Sequence, residues 1–290
     1  MLVSDMDFLE ETLVSGIREF MKKNGFSRTH LGLSGGIDSA LVAYLASQAA
    51  GAENVTCISM PSRFSSQGSK DDAAELAAKL GCRYEILPIE KCYTAFLSTL
   101  EGIFENRPFD LAEENLQARI RGVLLMAFSN KFNSMLLNTG NKSEIAMGYC
   151  TLYGDTNGAL GPLGDLFKTD VFALCRRINE RSMAAGKGIV IPQSIIDKPP
   201  SAELRPNQKD EDSLPPYEVL DKILGFYLND GLSADSIVKK GWDNELVDRI
   251  IKTVVRTEFK RHQLPPVLKV NQRCFGKKEG TPAALPVYQV

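Results

Sequence analysis

Three features of the chain predict an α/β fold with a doubly wound parallel sheet. Four short apolar runs have the length of buried strands. Segments of helical period separate the first three, and a Gly-Gly turn joins the first run directly to a helix. Strands alternating with helices pair in parallel through right-handed crossovers. Met6–Lys23 comes first, with Leu9, Leu13, Ile17 and Phe20 or Met21 recurring on one face of an amphipathic helix. Residues 30–33, 55–60, 84–87 and 135–137 then read as the strands, and 39–50 and 71–80 as intervening helices. The second of these helices runs into Gly81, a natural C-terminal stop. Longer helices over about 93–104 and 116–132 precede the fourth strand, and 189–192 is the candidate fifth. Ligands of such sheets bind beyond the carboxyl ends of the strands.

The last hundred residues change character. Residues 197–216 hold five prolines, many charges and few apolar side chains. Composition by itself favours a solvated linker; the functional reading is a mobile lid, since long structureless loops in compact proteins often cover active sites. Residues 216–230 and 244–263 look helical. The tail beyond Pro265 is basic (Lys269, Arg273, Lys277 and Lys278) and reads as a solvated segment with no nucleic-acid role. At 290 residues, the expectation is one domain. Its parts are a nucleotide-binding core (1–196), a lid loop (197–216) and a helical C-terminal region with its tail (217–290).

Composition removes several classes of function. The net charge is −2, with acids and bases interspersed, so the basic excess of a nucleic-acid binder is absent. The six cysteines form no C-x-x-C pair, which argues against a disulfide framework or zinc site. With only His30 and His262, a His-rich metal site is excluded. Asp5 and Asp7 interrupt the N-terminus, which does not read as a signal peptide, and no run is apolar enough to span a membrane. A soluble, cytoplasmic protein is expected.

The segment that carries chemistry is Ser34-Gly35-Gly36-Ile37-Asp38-Ser39. Glycines let the backbone turn sharply and approach a ligand closely. The helix that follows points free N–H groups and its positive dipole end at the turn. Together these make an anion cradle suited to phosphate. Ser34 and Ser39 add hydroxyl donors, and Asp38 offers a hard oxygen ligand for Mg²⁺. The segment lacks the lysine of the G-x-x-x-x-G-K-[ST] loop, so nothing in it waits for a γ-phosphate.

This hexapeptide resembles the loop of the PP-loop ATP pyrophosphatases, which cleave ATP between its α- and β-phosphates. Further motifs resemble the NAD synthetases within that superfamily. They are Glu114-Asn115-Leu116-Gln117-Ala118-Arg119-Ile120-Arg121, Asn138-Thr139-Gly140-Asn141-Lys142-Ser143-Glu144 and Gly148-Tyr149-Cys150-Thr151-Leu152-Tyr153-Gly154-Asp155. Phe167-Lys168-Thr169, Lys198-Pro199-Pro200-Ser201-Ala202-Glu203-Leu204 and Phe259-Lys260-Arg261 complete the series, in order over nearly the whole chain. The resemblance implies a Rossmann-like sheet of the adenine nucleotide alpha hydrolase type. It implies ATP-dependent amidation of deamido-NAD through an acyl-adenylate, with Mg²⁺ as cofactor.

Roles carry over position by position. Ser34, Gly35, Gly36, Asp38 and Ser39 match positions that hold ATP's phosphates, with Thr139, Lys168 and Ser201 as further ATP contacts. Asp38 and Glu144 match metal positions. Asn115, Arg119, Glu144 and Lys260 match deamido-NAD contacts, and Asp155 closes the Y-G-D motif near the reacting carboxylate. Asp38, Glu144, Asp155 and Lys168 are therefore the catalytic candidates. The resemblance also implies a homodimer, with deamido-NAD bound where the subunits meet.

Stand-alone bacterial members often carry a lysine before Y-G-D and an aspartate shortly after. Here those positions hold Leu152 and about Ala159. Leu152, Pro162 and the 198–204 run resemble instead the synthetase domain of the glutamine-dependent enzymes, with no amidase-like segment ahead of Ser34. Ammonia is accordingly the expected nitrogen donor, and glutamine only through a separate glutaminase.

Each residue also has a plainer reading. Arg119 and Arg121 can be surface charges, Arg121 above all. Glu144 can be a helix-start carboxylate favoured by the macrodipole. Lys168 can pair at the surface with Asp165 or Asp170, which is worth little. Cys150 reads as a small buried residue and Trp242 as packing. Two other functions stay open: another PP-loop amidotransferase or thiolation enzyme, and a nucleotide sensor without catalysis.

Overall fold

The computed structural model describes residues 5–271, Phe275 and the backbone of residues 287–288. The tail residues Arg273, Cys274, Lys277 and Lys278 lie outside the described residues. Helix α1 (Met6–Lys23) opens the fold. Asp5 caps it by accepting from the backbone of Asp7 and Phe8, and the predicted apolar stripe is buried. Strand β1 (Thr29–Gly32) leads through the glycine turn into α2 (Ile37–Ala50), which is buried along most of its length. Then follow β2 (Val55–Ser59), α3 (Gln67–Leu80) and β3 (Arg83–Ile86), with Ser66 capping α3 and Gly81 ending it at φ 72°. Helices α4 (Glu90–Phe104) and α5 (Leu111–Phe132) lead to β4 (Met135–Leu136). Helix α5 begins ahead of its apolar pattern because Asp110 and Glu113 form a capping box.

The four strands are parallel, in the order β3-β2-β1-β4. Their two faces pack against different helices. Leu31, Leu33, Val55 and Cys57 join α1 and α2 in one core, whereas Ile58 and Met60 join α4 and α5 in another. His30 points to the second face, where Nε2 lies 3.0 Å from the Leu125 carbonyl oxygen and burial lowers its pKa to about 4. The doubly wound sheet expected from the sequence is thus the one observed.

Beyond β4 lie α6 (Lys142–Met147), α7 (Lys168–Ala184) and α8 (Gln193–Asp197). Helix α7 was not among the expected elements. Its buried stripe of Val171, Leu174, Cys175 and Ile178 nevertheless has i, i+3, i+4, i+7 spacing and joins the first core. Residues 189–192, expected as a fifth strand, pair with no strand among the described residues. A single side chain stands in for a neighbour: Asn179 accepts from Val190 N (3.1 Å) and Ile191 N (2.9 Å) and donates to Ile191 O (2.7 Å).

The C-terminal region has its own apolar core, built on α9 (Tyr217–Leu224), α10 (Ala234–Val238) and α11 (Asn244–Arg256). The helix expected over 216–230 widens into a π turn at Gly225–Asn229. That expected over 244–263 breaks at Thr257 into α11 and α12 (Glu258–Arg261). Trp242 packs at the edge of this core, as its packing reading required. Strands β5 (Val267–Leu268) and β6 (Val287–Tyr288) form a separate parallel pair. Among the described residues no helix is long and apolar enough to cross a membrane.

Candidate active site

A cleft of about 310 Å³ opens at the carboxyl ends of β1, β2 and β4, where the topology of the sheet places a ligand. The turn 34–39 forms its floor. Ser39 Oγ donates to Gly36 O (2.9 Å) and accepts from Ser34 N (3.2 Å), and Ser34 Oγ accepts from Gly36 N (3.2 Å). Both hydroxyls therefore hold the loop open as a nest. Gly35 has φ 83°, and a Cβ there would sit 2.1 Å from Ser69 O, so both conformation and space demand glycine. Gly36 offers α2 no side-chain cap, which leaves its first N–H groups facing the cleft.

One cation joins the acidic groups around this floor. Lys168 Nζ, at the start of α7, lies 2.5 Å from Asp38 Oδ2 and 3.1 Å from Glu144 Oε1. Asp165 and Asp170, its expected surface partners, are buried elsewhere, and Asp165 pairs with Lys142 at 2.7 Å. Burial opposes the charge on Lys168, but Asp38 and Glu144 outweigh it and raise the ammonium above its usual range. Burial also raises Glu144, against the pull of Lys168. Asp38 is held from its other oxygen by Asn141 Nδ2 at 3.0 Å.

A third carboxylate, Asp210, was not singled out in the sequence. It is buried beside this cluster, accepts from Tyr217 Oη (2.8 Å) and has the Tyr149 hydroxyl as a second neighbour. Burial raises its pKa above the ordinary carboxylate range.

Residues 197–216 cross the cleft rather than trailing into solvent. Lys198 Nζ reaches back to Gly35 O (3.1 Å), Ser69 Oγ (3.0 Å) and Asp72 (2.6 Å). Glu203 accepts from Ser66 Oγ and Ser69 Oγ, each at 2.8 Å. Ser201 lines the cleft while its hydroxyl braces the loop by donating to Gln208 O (2.6 Å). Lys198 and Glu203 belong to a motif quoted above but carried no assigned role.

The remaining candidates gather around residues 148–155. Asn115 Oδ1 accepts from Thr151 Oγ1 (2.7 Å), Arg119 Nε donates to Leu152 O (3.2 Å), and Lys260 Nζ donates to Gly148 O (2.8 Å) and Cys150 O (2.7 Å). Thr139 lines the cleft just past β4. Asp155 accepts from Thr151 N at 2.5 Å and is exposed along the wall of the cleft. It lies deep enough among protein atoms that desolvation still raises its carboxyl to about 6. Burial pushes the Cys150 thiol up to about 12, away from the thiolate form that nucleophilic chemistry uses.

Arg121 departs from its surface reading. It faces the cleft, donates from Nε to Met60 O (3.0 Å), and has its pKa lowered to about 10 by burial, against Glu203 and Asp155. Arg119 is the exposed one of the two.

A parallel sheet with a glycine nest beyond its strand ends, faced by a lysine between carboxylates, defines a nucleotide-binding protein of the adenine nucleotide alpha hydrolase type. Comparison with known proteins narrows the class. The family model for NAD synthase matches residues 9–264. A glutamine-dependent NAD(+) synthetase of Rhodobacter capsulatus is 52% identical over 266 residues, which cover 91% of this chain and 48% of that protein. Among solved structures, the glutamine-dependent NAD+ synthetase from Acinetobacter baumannii in complex with ADP is 42% identical with a TM-score of 0.64. That match covers 92% of this chain and 47% of the other. An NH3-dependent NAD synthetase from Campylobacter jejuni is 28% identical with a TM-score of 0.71, over 92% of this chain and 100% of the other. The chain belongs to the NAD synthase family. It spans about half the length of the curated relatives it matches.

Proposed function

We propose that the chain amidates deamido-NAD to NAD at the expense of ATP, with ammonia as nitrogen donor and AMP and pyrophosphate as products. The observation that carries this reading is the Lys168 ammonium held between Asp38, at the phosphate nest, and Glu144 across the same cleft. Ser34, Gly35, Gly36 and Ser39 cradle the phosphates, with Thr139, Lys168 and Ser201 as further ATP contacts. Asn115, Arg119, Glu144 and Lys260 bind the dinucleotide. A carboxylate oxygen of the nicotinate attacks the α-phosphorus, and the bond to the β-phosphate breaks to release pyrophosphate. Ammonia then attacks the acyl carbon and AMP leaves. Asp155 takes the proton that the nitrogen sheds, a task suited to a carboxyl raised to about 6. Lys168 and the N-terminus of α2 offset the charge that builds on the phosphoryl oxygens. The 197–216 loop keeps water from the adenylate.

The acidic groups also suit Mg²⁺. Asp38, Glu144 and Asp210 outnumber the one ammonium between them. Among the described residues no cluster of three or more side chains forms a complete metal cage. Mg²⁺ typically takes one or two carboxylates and completes its octahedron with phosphate oxygens and water. Asp38 and Glu144 would hold it, and once bound it supplies positive charge to the phosphates.

Two features support the remaining parts of the proposal. Phe96, Ile103, Leu111 and Val123 on α4 and α5 are exposed and apolar, which favours a second copy of the chain as their cover. The protonated Cys150 thiol offers no nucleophile for glutamine, which favours free ammonia or a separate glutaminase. Mass spectrometry of products from ATP, Mg²⁺, deamido-NAD and ammonium tests the reaction. NAD, AMP and pyrophosphate are expected, and ADP with phosphate would refute it. Nicotinate mononucleotide in place of the dinucleotide tests the substrate.

A further inference from the structure

Helix α7 begins with the active-site lysine, and its first turn needs acceptors. The N-cap residue Phe167 has no side-chain oxygen, so the backbone N–H groups of Lys168 and Thr169 find no partner within the helix. Two side chains from elsewhere fill them. Lys168 N donates to Ser143 Oγ at 2.9 Å, and Thr169 N donates to Asp221 Oδ2 at 2.9 Å. The two acceptors are themselves joined, since Ser143 Oγ donates to Asp221 Oδ1 at 2.5 Å. All of this is buried: Asp221 is 5% exposed and Ser143 is fully enclosed.

We propose that Asp221 is a positioning residue for Lys168, acting as an N-cap supplied to α7 from another helix. The inference rests on the amidation reading for its role in turnover. Asp221 lies on α9, which is anchored in the C-terminal core by Leu220, Ile223 and Leu224. One turn earlier the same helix presents Tyr217, whose ring centroid lies 5.3 Å from Lys168 Nζ and whose hydroxyl holds Asp210. Helix α9 therefore grips the lysine at both ends: Asp221 holds the Thr169 amide that follows it and, through Ser143, the lysine's own amide, and Tyr217 faces its ammonium. Ser143 is next to Glu144, so the same brace fixes both the lysine and one of its two carboxylate partners. A shift of the first turn of α7 moves Nζ away from Asp38, and misplacement by about 1 Å can cost about 100-fold in rate.

The test uses Asp221→Ala, the shape-preserving Asp221→Asn and Ser143→Ala. The control is Glu10→Gln, a substitution at a comparably buried acid whose partners are Tyr44 and Arg181 rather than any of these groups. Turnover with deamido-NAD, urea unfolding and MgATP affinity are measured in each. Asp221→Ala is expected to lower kcat by about 10- to 100-fold while the KM for deamido-NAD holds. Asp221→Asn, which keeps one acceptor, and Ser143→Ala should each give a smaller loss. Glu10→Gln should change stability without changing kcat.

The readout that separates positioning from mere structure is a cycle with Lys168→Gln. In that background Asp221→Ala should cost no further kcat or MgATP affinity, while its effect on the urea midpoint persists. Full additivity of the two kcat losses overturns the proposal, as does wild-type kcat in both Asp221 variants. Should the wild-type chain form no NAD, the amidation reading fails by itself. The positioning claim is then decided by MgATP affinity in the same cycle.

Discussion

Replacing Lys168 with methionine tests the architecture of the site most directly. The side chain is 3% exposed and its ammonium holds Asp38 at 2.5 Å and Glu144 at 3.1 Å, with Asp210 close by. Methionine keeps most of the volume and removes the charge. The half-buried carboxylates then face one another with no cation between them. Breaking a buried pair from one side costs about 3–5 kcal/mol, because the other charge stays buried and uncompensated. In metal-free buffer at pH 7.5 the variant should lose that much in urea unfolding.

The loss should also depend on pH, with a definite sign. Without the lysine, the carboxylates have folded-state pKa values raised above their unfolded ones. Each group then binds a proton more tightly when folded, so the variant regains stability as pH falls. The gap from the wild type should narrow steadily between pH 7.5 and 5. Added Mg²⁺ should narrow it as well, by binding the folded state only. A variant within about 1 kcal/mol of wild type at pH 7.5 in chelator, the range of a surface pair, would refute the buried cluster.

Other expectations concern function. Asp38→Asn and Glu144→Gln should each lower kcat by orders of magnitude at saturating Mg²⁺ while circular dichroism stays unchanged, and near-normal turnover in either variant removes that residue from the site. The 31.9 kDa chain should sediment as a dimer at micromolar concentration, and Val123→Asp on the exposed face of α5 should yield monomers; a wild-type monomer under those conditions would exclude the dimer. Ammonium should support NAD formation by the pure chain and glutamine should not, with robust glutamine-driven synthesis as the contrary result. Expressed per free NH₃, kcat/KM should level off above about pH 6, where Asp155 is ionised, and fall tenfold per unit below it. Asp155→Asn should abolish that limb at a lower rate, and an unchanged profile would show that Asp155 is not the base.

What could be read from the chain followed the range of the interaction that shapes it. Strands, most helices and the glycine nest are set by neighbours within a few residues, and these were legible. Arg119 and Arg121 show the limit of that range. Two positions apart on α5, their side chains point about 200° apart, so only one can face the cleft. The spacing says that they differ, but not which faces in, and it was Arg121 that turned to Met60. Asp210 was hidden differently. It lies in the run Lys209-Asp210-Glu211-Asp212, whose charges look uniformly solvated, and the Tyr217 and Tyr149 hydroxyls with the nearby lysine select it for burial.

Lys168 was visible through its motif, yet its partner Asp38 is 130 positions away. The support for its helix is equally remote. A local N-cap would have announced itself as Ser, Thr, Asp or Asn before the first turn. Here that position is Phe167, and the missing acceptor comes from Asp221, 52 residues downstream of the amide it serves. An uncapped start in front of a buried lysine is therefore a signal in its own right. Either solvent or a distant side chain must satisfy those N–H groups, and solvent is excluded where Lys168 and Asp170 are both buried. Burial and capping together require a partner from elsewhere in the chain, and the fold determines which acid supplies it.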